Sequence, residues 1–115
     1  MSRPARSFTA AIVCAVGVLL ADTNANSAPA APKPSTQTVI VEGTGFQPET
    51  LTVRRGDTVV WQNKDPFPHT ATAAGVFDSH NIPANASWKY TARKSGRYSY
   101  VCALHPNMKG TLIVE

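Results

Sequence analysis

The chain has 115 residues, a formal net charge of +4 and a hydrophobic content of 43%. This length predicts one domain and excludes a large α/β enzyme, and the apolar share excludes an intrinsically disordered chain. The 11 Lys and Arg residues form no run longer than two, so the sequence does not indicate nucleic-acid binding. The two cysteines, Cys14 and Cys102, suggest one disulfide at first sight.

Residues 1–30 have the three regions of a secretory signal peptide. Arg3 and Arg6 precede the apolar run Phe8–Ala21, and a polar stretch ending in small residues follows. The run is shorter than the roughly 20 residues that a membrane-spanning helix needs. We therefore predict cleavage after Ser27 or Ala30, export to the periplasm, and no stable membrane insertion of the mature protein.

Removal of this segment changes the cysteine count and the charge. Arg3, Arg6 and Asp22 leave with the signal, so the formal charge falls from +4 to +3. Cys14 leaves as well, and Cys102 then has no partner for an internal disulfide. A mature domain of about 85 residues buries only about 60–65% of its unfolded surface, so a bound metal is one natural source of added stability.

After a Pro- and Ala-rich tether at residues 31–36, the sequence alternates between short strand patterns and turns. The predicted strands are Thr38–Glu42, Glu49–Arg54, Thr58–Asn63, Thr70–Ala73, Ser87–Ala92, Arg97–Cys102 and Thr111–Val114. The stretch Asp78–Asn85 is expected to hold at most one helical turn. Short strands at regular spacing predict an all-β Greek-key β-sandwich of seven to eight strands over residues 37–115.

The alternation within Arg97–Cys102 predicts where the cysteine points. Tyr98, Tyr100 and Cys102 share one face of the strand, and Arg97 shares the other with a serine. The aromatic face carries no charge, so we expect it to face the interior and to place the thiol at the inner end of the strand.

Cys102, His105 and Met108 follow one another at the spacing C-x2-H-x2-M, and His69 lies 33 residues before the cysteine. Two imidazoles, a thiolate and a weak thioether ligand are the donor set of a blue-copper site. Taken singly, each residue has an ordinary alternative, such as an inert buried thiol, a solvated loop histidine or a methionine that fills a gap in the core. The joint pattern is much more specific than any of its members.

The chain resembles the cupredoxins, small blue-copper electron-transfer proteins, over about residues 37–115. The segments that carry the resemblance are Phe46–Pro48, Gly56–Asn63, Pro68–Thr70, Phe77–Ser79, Gly96–Cys102 and His105–Gly110. The short ligand loop is most similar to that of the amicyanins, within the plastocyanin- and azurin-like group. The resemblance implies one type 1 copper ion, with His69, Cys102 and His105 as equatorial ligands and Met108 as the axial ligand.

Three positions depart from the pattern of the cupredoxins. Thr70 and Ala103 stand where the family commonly has Asn and Ser or Thr, which tie the two ligand loops together. Such hydrogen bonds tune a metal site, so the departures concern the reduction potential and the rigidity of the loops. His80 stands where relatives often have Gly, and it is either a solvated loop residue or a contact for a second metal or a partner.

The resemblance implies a periplasmic one-electron carrier and not an enzyme. The alternative is a copper-binding or copper-delivery protein of the same fold, which reversible reduction would distinguish. Three histidines are too few for a multicopper oxidase, one cysteine is too few for a binuclear copper centre, and a hydrolytic zinc site would leave Met108 without a role. The expected partners are redox proteins, with a dehydrogenase or a cytochrome c as donor, and the protein is expected to be a monomer that binds no nucleic acid.

His105 is the predicted edge of the site through which the electron passes. Phe67, Pro68, Leu104 and Pro106 either form an apolar rim for brief docking around it or pack as an ordinary loop. The scattered basic residues either steer an acidic partner or form a solvated surface. They are Arg54, Arg55, Lys64, Lys89, Arg93, Lys94, Arg97 and Lys109.

Overall fold

The structure is a computed structural model that describes residues 33–115. The predicted signal peptide lies outside the described residues, as do the first two residues of the tether. The described part contains nine strands. They are β1 (Thr36–Glu42), β2 (Gly45–Gln47), β3 (Thr50–Val53), β4 (Thr58–Asn63), β5 (Thr72–Ala73), β6 (Phe77–Asp78), β7 (Ser87–Thr91), β8 (Gly96–Cys102) and β9 (His105–Val114).

The strands form two sheets, as an all-β sandwich requires. One sheet has the order β2-β1-β4-β7 and the other has the order β3-β9-β8-β5-β6. The pairs β1–β4 and β3–β9 are parallel, and the remaining pairs are antiparallel. Because most strands that follow each other in sequence belong to different sheets, most of the connecting loops pass from one sheet to the other. The predicted sandwich is confirmed. Residues 33–115 include no helix with the length and hydrophobicity of a membrane span.

Two short strands and the length of the last strand were not expected from the sequence. The strands β2 and β6 have only three and two residues, which is too short for an alternating pattern to be recognised. The strand β9 begins at His105 and not at Thr111, because its first residues pair with the end of β8 across a tight turn. Asp78–Asn85 holds no helical turn, and Ile82 within it forms an isolated bridge with His69.

The core lies between the two sheets and is rich in aromatic rings. Trp61 is fully buried, and its ring centroid lies 5.4 Å from those of Tyr100 and Phe77 and 5.6 Å from that of Trp88. Burial raises the pKa of Tyr100 to about 12. In β8, Tyr100 and Cys102 are buried and Tyr98 is partly buried, so the face predicted to point inward does so.

Candidate metal centre

Three of the four predicted ligands meet at one end of the sandwich. Cys102 is the last residue of β8 and His105 the first of β9, and the two are paired across the turn that joins the strands. The Cys102 Sγ atom lies 3.6 Å from the Nδ1 atoms of both His69 and His105. One potential ligand atom from each residue lies within 4.8 Å of those of the other two, which is close enough for one ion to contact all three.

The two histidines differ in their access to solvent. His69 and Cys102 are fully buried, whereas His105 is only partly buried. Met108 is 2% exposed and begins the inward-facing series of β9. It lines the same surface depression as His105, together with Leu104 and Pro106. The thioether is thus placed beside the cluster, and one imidazole edge is left at the surface.

Asp65 holds the ring of His69 in a fixed orientation. The His69 Nε2 atom lies 2.6 Å from Asp65 Oδ2, and the same carboxylate accepts the backbone N–H of Gly43 at 3.0 Å. The bond from Gly43, followed by that from His69, lowers the pKa of Asp65 against the opposing effect of burial. An ionised carboxylate requires a proton on Nε2, so in a neutral imidazole the free lone pair is on Nδ1, the nitrogen that faces Cys102. The sequence signal for this role was an acid four residues before the histidine, and it was not recognised.

Asn63 fixes the loop that carries His69. Its fully buried Nδ2 group donates to the carbonyl oxygens of Phe67 at 2.9 Å and Ile82 at 3.0 Å, and its Oδ1 atom accepts the N–H of Asp65 at 2.9 Å. His69 itself exchanges two backbone hydrogen bonds with Ile82. The loop is therefore tied to its neighbour by buried hydrogen bonds, which are costly to leave unmade.

Thr70 joins the two loops that carry the predicted ligands. Its backbone N–H donates to Cys102 Sγ at 3.3 Å, and its Oγ1 atom accepts the backbone N–H of Ala103 at 2.8 Å. A threonine in place of Asn therefore still connects the loops. The partner is a backbone amide, so the missing hydroxyl at Ala103 does not prevent the connection.

His80 lies apart from this cluster. Its backbone is in the left-handed region with φ of 57°, and its side chain is 84% exposed. Its Nδ1 atom is 3.7 Å from Asp78 Oδ2. Among the described residues, the cluster of His69, Cys102 and His105 is the one group of three His, Cys, Asp or Glu side chains close enough for a metal, and His80 is not part of it.

The surface around His105 is apolar. Phe67 is 42% exposed and Leu104 is 48% exposed, and Pro68 and Pro106 are exposed beside them. The Phe67 ring centroid lies 6.0 Å from that of His105. Large apolar side chains that are exposed around a candidate metal site are typical of a surface that contacts another protein.

The donor set decides which metals the cluster suits. A thiolate and a nearby thioether favour copper, whereas two imidazoles suit copper and zinc alike. Within residues 33–115, Asp65 is the one carboxylate that is hydrogen-bonded to these side chains, and it is held by Gly43 and by the Nε2 atom of His69. The residues present therefore fit a mononuclear copper ion.

Comparison with known proteins agrees with this geometry. The profile of the cupredoxin-like domain matches residues 10–114. Amicyanin-alpha of Methylorubrum extorquens is 29% identical over 115 residues, which cover 95% of this chain and 91% of the relative. The plastocyanin of Scenedesmus fuscus is 32% identical over 88 residues, which cover 61% of this chain and 86% of the relative.

A solved structure of an amicyanin variant in the Cu(I) form has a TM-score of 0.66 and 28% identity, covering 70% of this chain and 82% of that one. The resemblance to the amicyanins and plastocyanins is thereby confirmed for the fold and for the family. The chain belongs to the cupredoxin-like domain family.

Proposed function

We propose that this protein is a periplasmic one-electron carrier that holds one type 1 copper ion through His69, Cys102, His105 and Met108. The observation that carries the proposal is the convergence of three donor atoms to within 4.8 Å of one another, two of them from the β8–β9 turn and one from the loop that carries His69. The amicyanin relatives, one of them solved as a Cu(I) form, support copper as the metal. The signal-peptide pattern of residues 1–30 supports the compartment.

The residues around the cluster hold the proposed ligands in place before a metal arrives. Asp65 orients His69 through Nε2–H, and the backbone N–H of Thr70 donates to the Cys102 sulfur. A copper ion held by these residues would supply the exchange of one electron between the Cu(II) and Cu(I) states. A site that cannot rearrange keeps the structural change between the two oxidation states small, which favours fast electron transfer.

His105 is the proposed point of electron entry and exit. It is the most exposed of the three clustered residues, and the apolar rim formed by Phe67, Pro68, Leu104 and Pro106 surrounds it. A small apolar surface suits a brief contact with a redox partner, because weak electron-transfer complexes bury little area. The partners are proposed to be redox proteins, with a dehydrogenase or a cytochrome c as donor.

Addition of Cu(II) to the purified mature protein tests the proposal. We expect an intense blue band from charge transfer between the Cys102 thiolate and copper, with one equivalent bound. Cys102→Ser should abolish the band, because a hydroxyl cannot supply that transition. A colourless complex of the parent protein would contradict a type 1 site.

A redox titration of the copper-loaded protein separates a carrier from a copper-delivery protein. A carrier should be reduced and reoxidised repeatedly with full recovery of the blue band. Loss of copper on reduction, or a complex stable in one oxidation state only, would favour delivery of the metal.

A further inference from the structure

Beyond the residues that contact the proposed ligands, a chain of side-chain hydroxyls leads from the ligand loop to the protein surface. The backbone N–H of Ala103 donates to Thr70 Oγ1 at 2.8 Å, and Thr70 Oγ1 lies 2.9 Å from Thr72 Oγ1. Thr72 Oγ1 in turn donates to Asp78 Oδ1 at 3.1 Å. Thr72 and Asp78 are directly opposite each other in the β5–β6 pair, so the register of the sheet edge sets the last step.

The direction of every hydrogen bond in this chain is determined. A threonine hydroxyl carries a single hydrogen. An ionised Asp78 can only accept, so Thr72 must direct its hydrogen to Asp78. Thr70 must then donate to Thr72, and its lone pairs remain for the N–H of Ala103. All donors point away from Cys102, which is the preceding neighbour of Ala103, and toward Asp78.

Asp78 is well placed to remain ionised. It is partly exposed, with 47% of its side chain accessible, and its Oδ1 atom also accepts the backbone N–H of His80 at 2.8 Å. This bond, together with that from Thr72, lowers the pKa of Asp78. The N–H of His80, two residues further along the chain, therefore holds the terminal acceptor in position.

Aligned hydrogen bonds polarise one another, and each O–H dipole here has its negative end toward the ligand loop. The loop next to Cys102 therefore experiences a more negative potential than an isolated threonine would produce. A negative potential favours the oxidised state of a metal centre over the reduced state, because the oxidised state carries one more positive charge.

We propose that Thr70, Thr72 and Asp78 form a hydroxyl chain by which a surface carboxylate positions the Cys102 loop and lowers the reduction potential of the site. The hydrogen-bond partners of Thr72 and Asp78 include none of the proposed ligands, so the two are positioning residues. The proposal rests on the proposed copper function and adds to it the control of the potential from a distance.

Four variants test the hydroxyl chain through the reduction potential of the copper-loaded protein. Thr72→Val removes the hydroxyl at nearly constant volume, and Asp78→Asn removes the charge. Both should raise the potential while the blue band keeps its position. Thr72→Ser keeps the hydroxyl, and Glu49→Gln removes an exposed charge for which the described residues show no side-chain hydrogen bond, so both should keep the parental potential.

Hydrogen exchange of backbone amides in the metal-free protein provides a second measurement. Thr72→Val and Asp78→Asn should speed exchange at Ala103, because Thr70 Oγ1 becomes a poorer acceptor. The amide of Leu112, in the core of β9, reports on global stability and should keep its parental rate. Exchange that accelerates equally at both amides would indicate general destabilisation and would overturn the proposal.

Two further outcomes would also overturn it. A parental potential in Thr72→Val would show that the hydroxyl transmits nothing. A raised potential in Asp78→Asn alone would show that the charge acts through space. If the parent protein forms no reversible blue site, the proposed function fails and the exchange rate of Ala103 alone decides whether the hydroxyl chain positions the loop.

Discussion

At the scale of single residues, Asp65 determines how His69 presents its ring. The buried imidazole has its Nε2–H on the carboxylate at 2.6 Å and its Nδ1 atom 3.6 Å from Cys102 Sγ. Without the carboxylate, no hydrogen bond at Nε2 would fix the tautomer and the orientation of the ring. Partners of this kind typically account for a large share of metal affinity, because they fix both the tautomer and the orientation of the ligand.

We predict that Asp65→Ala weakens copper binding by about 10–100-fold, the usual cost of removing such a partner. Asp65→Asn keeps an acceptor oxygen without the charge, so its copper affinity should lie between those of Asp65→Ala and the parent protein. Competition with a chelator of known affinity measures the change, and circular dichroism of the metal-free proteins controls for folding. Parental affinity in Asp65→Ala would mean that Asn63 and the backbone alone orient His69.

At the scale of structural elements, the β8–β9 hairpin carries three of the four proposed ligands. Its register places Gly110 opposite Tyr100. Tyr100 lies two residues before Cys102 on the same strand. A Cβ atom built on Gly110 would collide with the Tyr100 ring. The ring in turn packs edge-on against Phe46 at 4.7 Å and Trp61 at 5.4 Å between centroids, so it has little freedom to move aside. The absent side chain at Gly110 thus lets the hairpin lie flat on the core.

Gly110→Ala should lower the free energy of unfolding of the metal-free protein by about 1–3 kcal/mol, as overpacking of a core does. Gly45→Ala is the matched control, because Gly45 does not have a positive φ and the nearest atom to an added Cβ is 3.8 Å away. Urea denaturation of both variants measures the difference. Equal stability of the two would show that Tyr100 shifts without cost.

At the scale of the whole molecule, three carboxylates accept backbone N–H groups, and two of them, Asp57 and Asp65, thereby connect separate parts of the chain. Asp57 accepts from Ser35 at 2.8 Å and from Arg54 at 2.9 Å, which holds the start of β1 beside the turn before β4. Asp65 accepts from Gly43, and Asp78 accepts from His80. The bonds from these amides lower the pKa of each carboxyl group, and for Asp57 the bond from Arg54 is the largest cause.

A lowered pKa in the folded state has a defined effect on stability. The stabilising contribution is complete above the unfolded pKa of about 4 and disappears as the pH falls through the lower folded pKa. We therefore expect the free energy of unfolding of the metal-free protein to fall on acidification below about pH 4. Asp57→Asn should be less stable at pH 7, and its difference from the parent should shrink at acid pH. Urea titrations at several pH values measure this, and parallel curves for the two proteins would contradict it.

The sequence alone determined the sandwich and the candidate ligands. Alternation along Arg97–Cys102 showed which side of β8 is buried, since burial of a strand depends on a period of two residues. Cys102, His105 and Met108 lie within seven consecutive residues, so their spacing alone identified them as candidate ligands. These features are local, and local chemistry is what a sequence displays directly.

Only the tertiary structure decided the contacts between distant segments. The two-residue strand β6 brings Asp78 opposite Thr72, and the turn after β1 brings the N–H of Gly43 to Asp65. The bond from Ala103 to Thr70 joins residues 33 positions apart. None of these partners is marked by periodicity, because each is selected by the packing of two sheets and the direction of a single N–H or O–H group. The sequence therefore indicated the candidate metal ligands, and the fold determined which groups hold them in place.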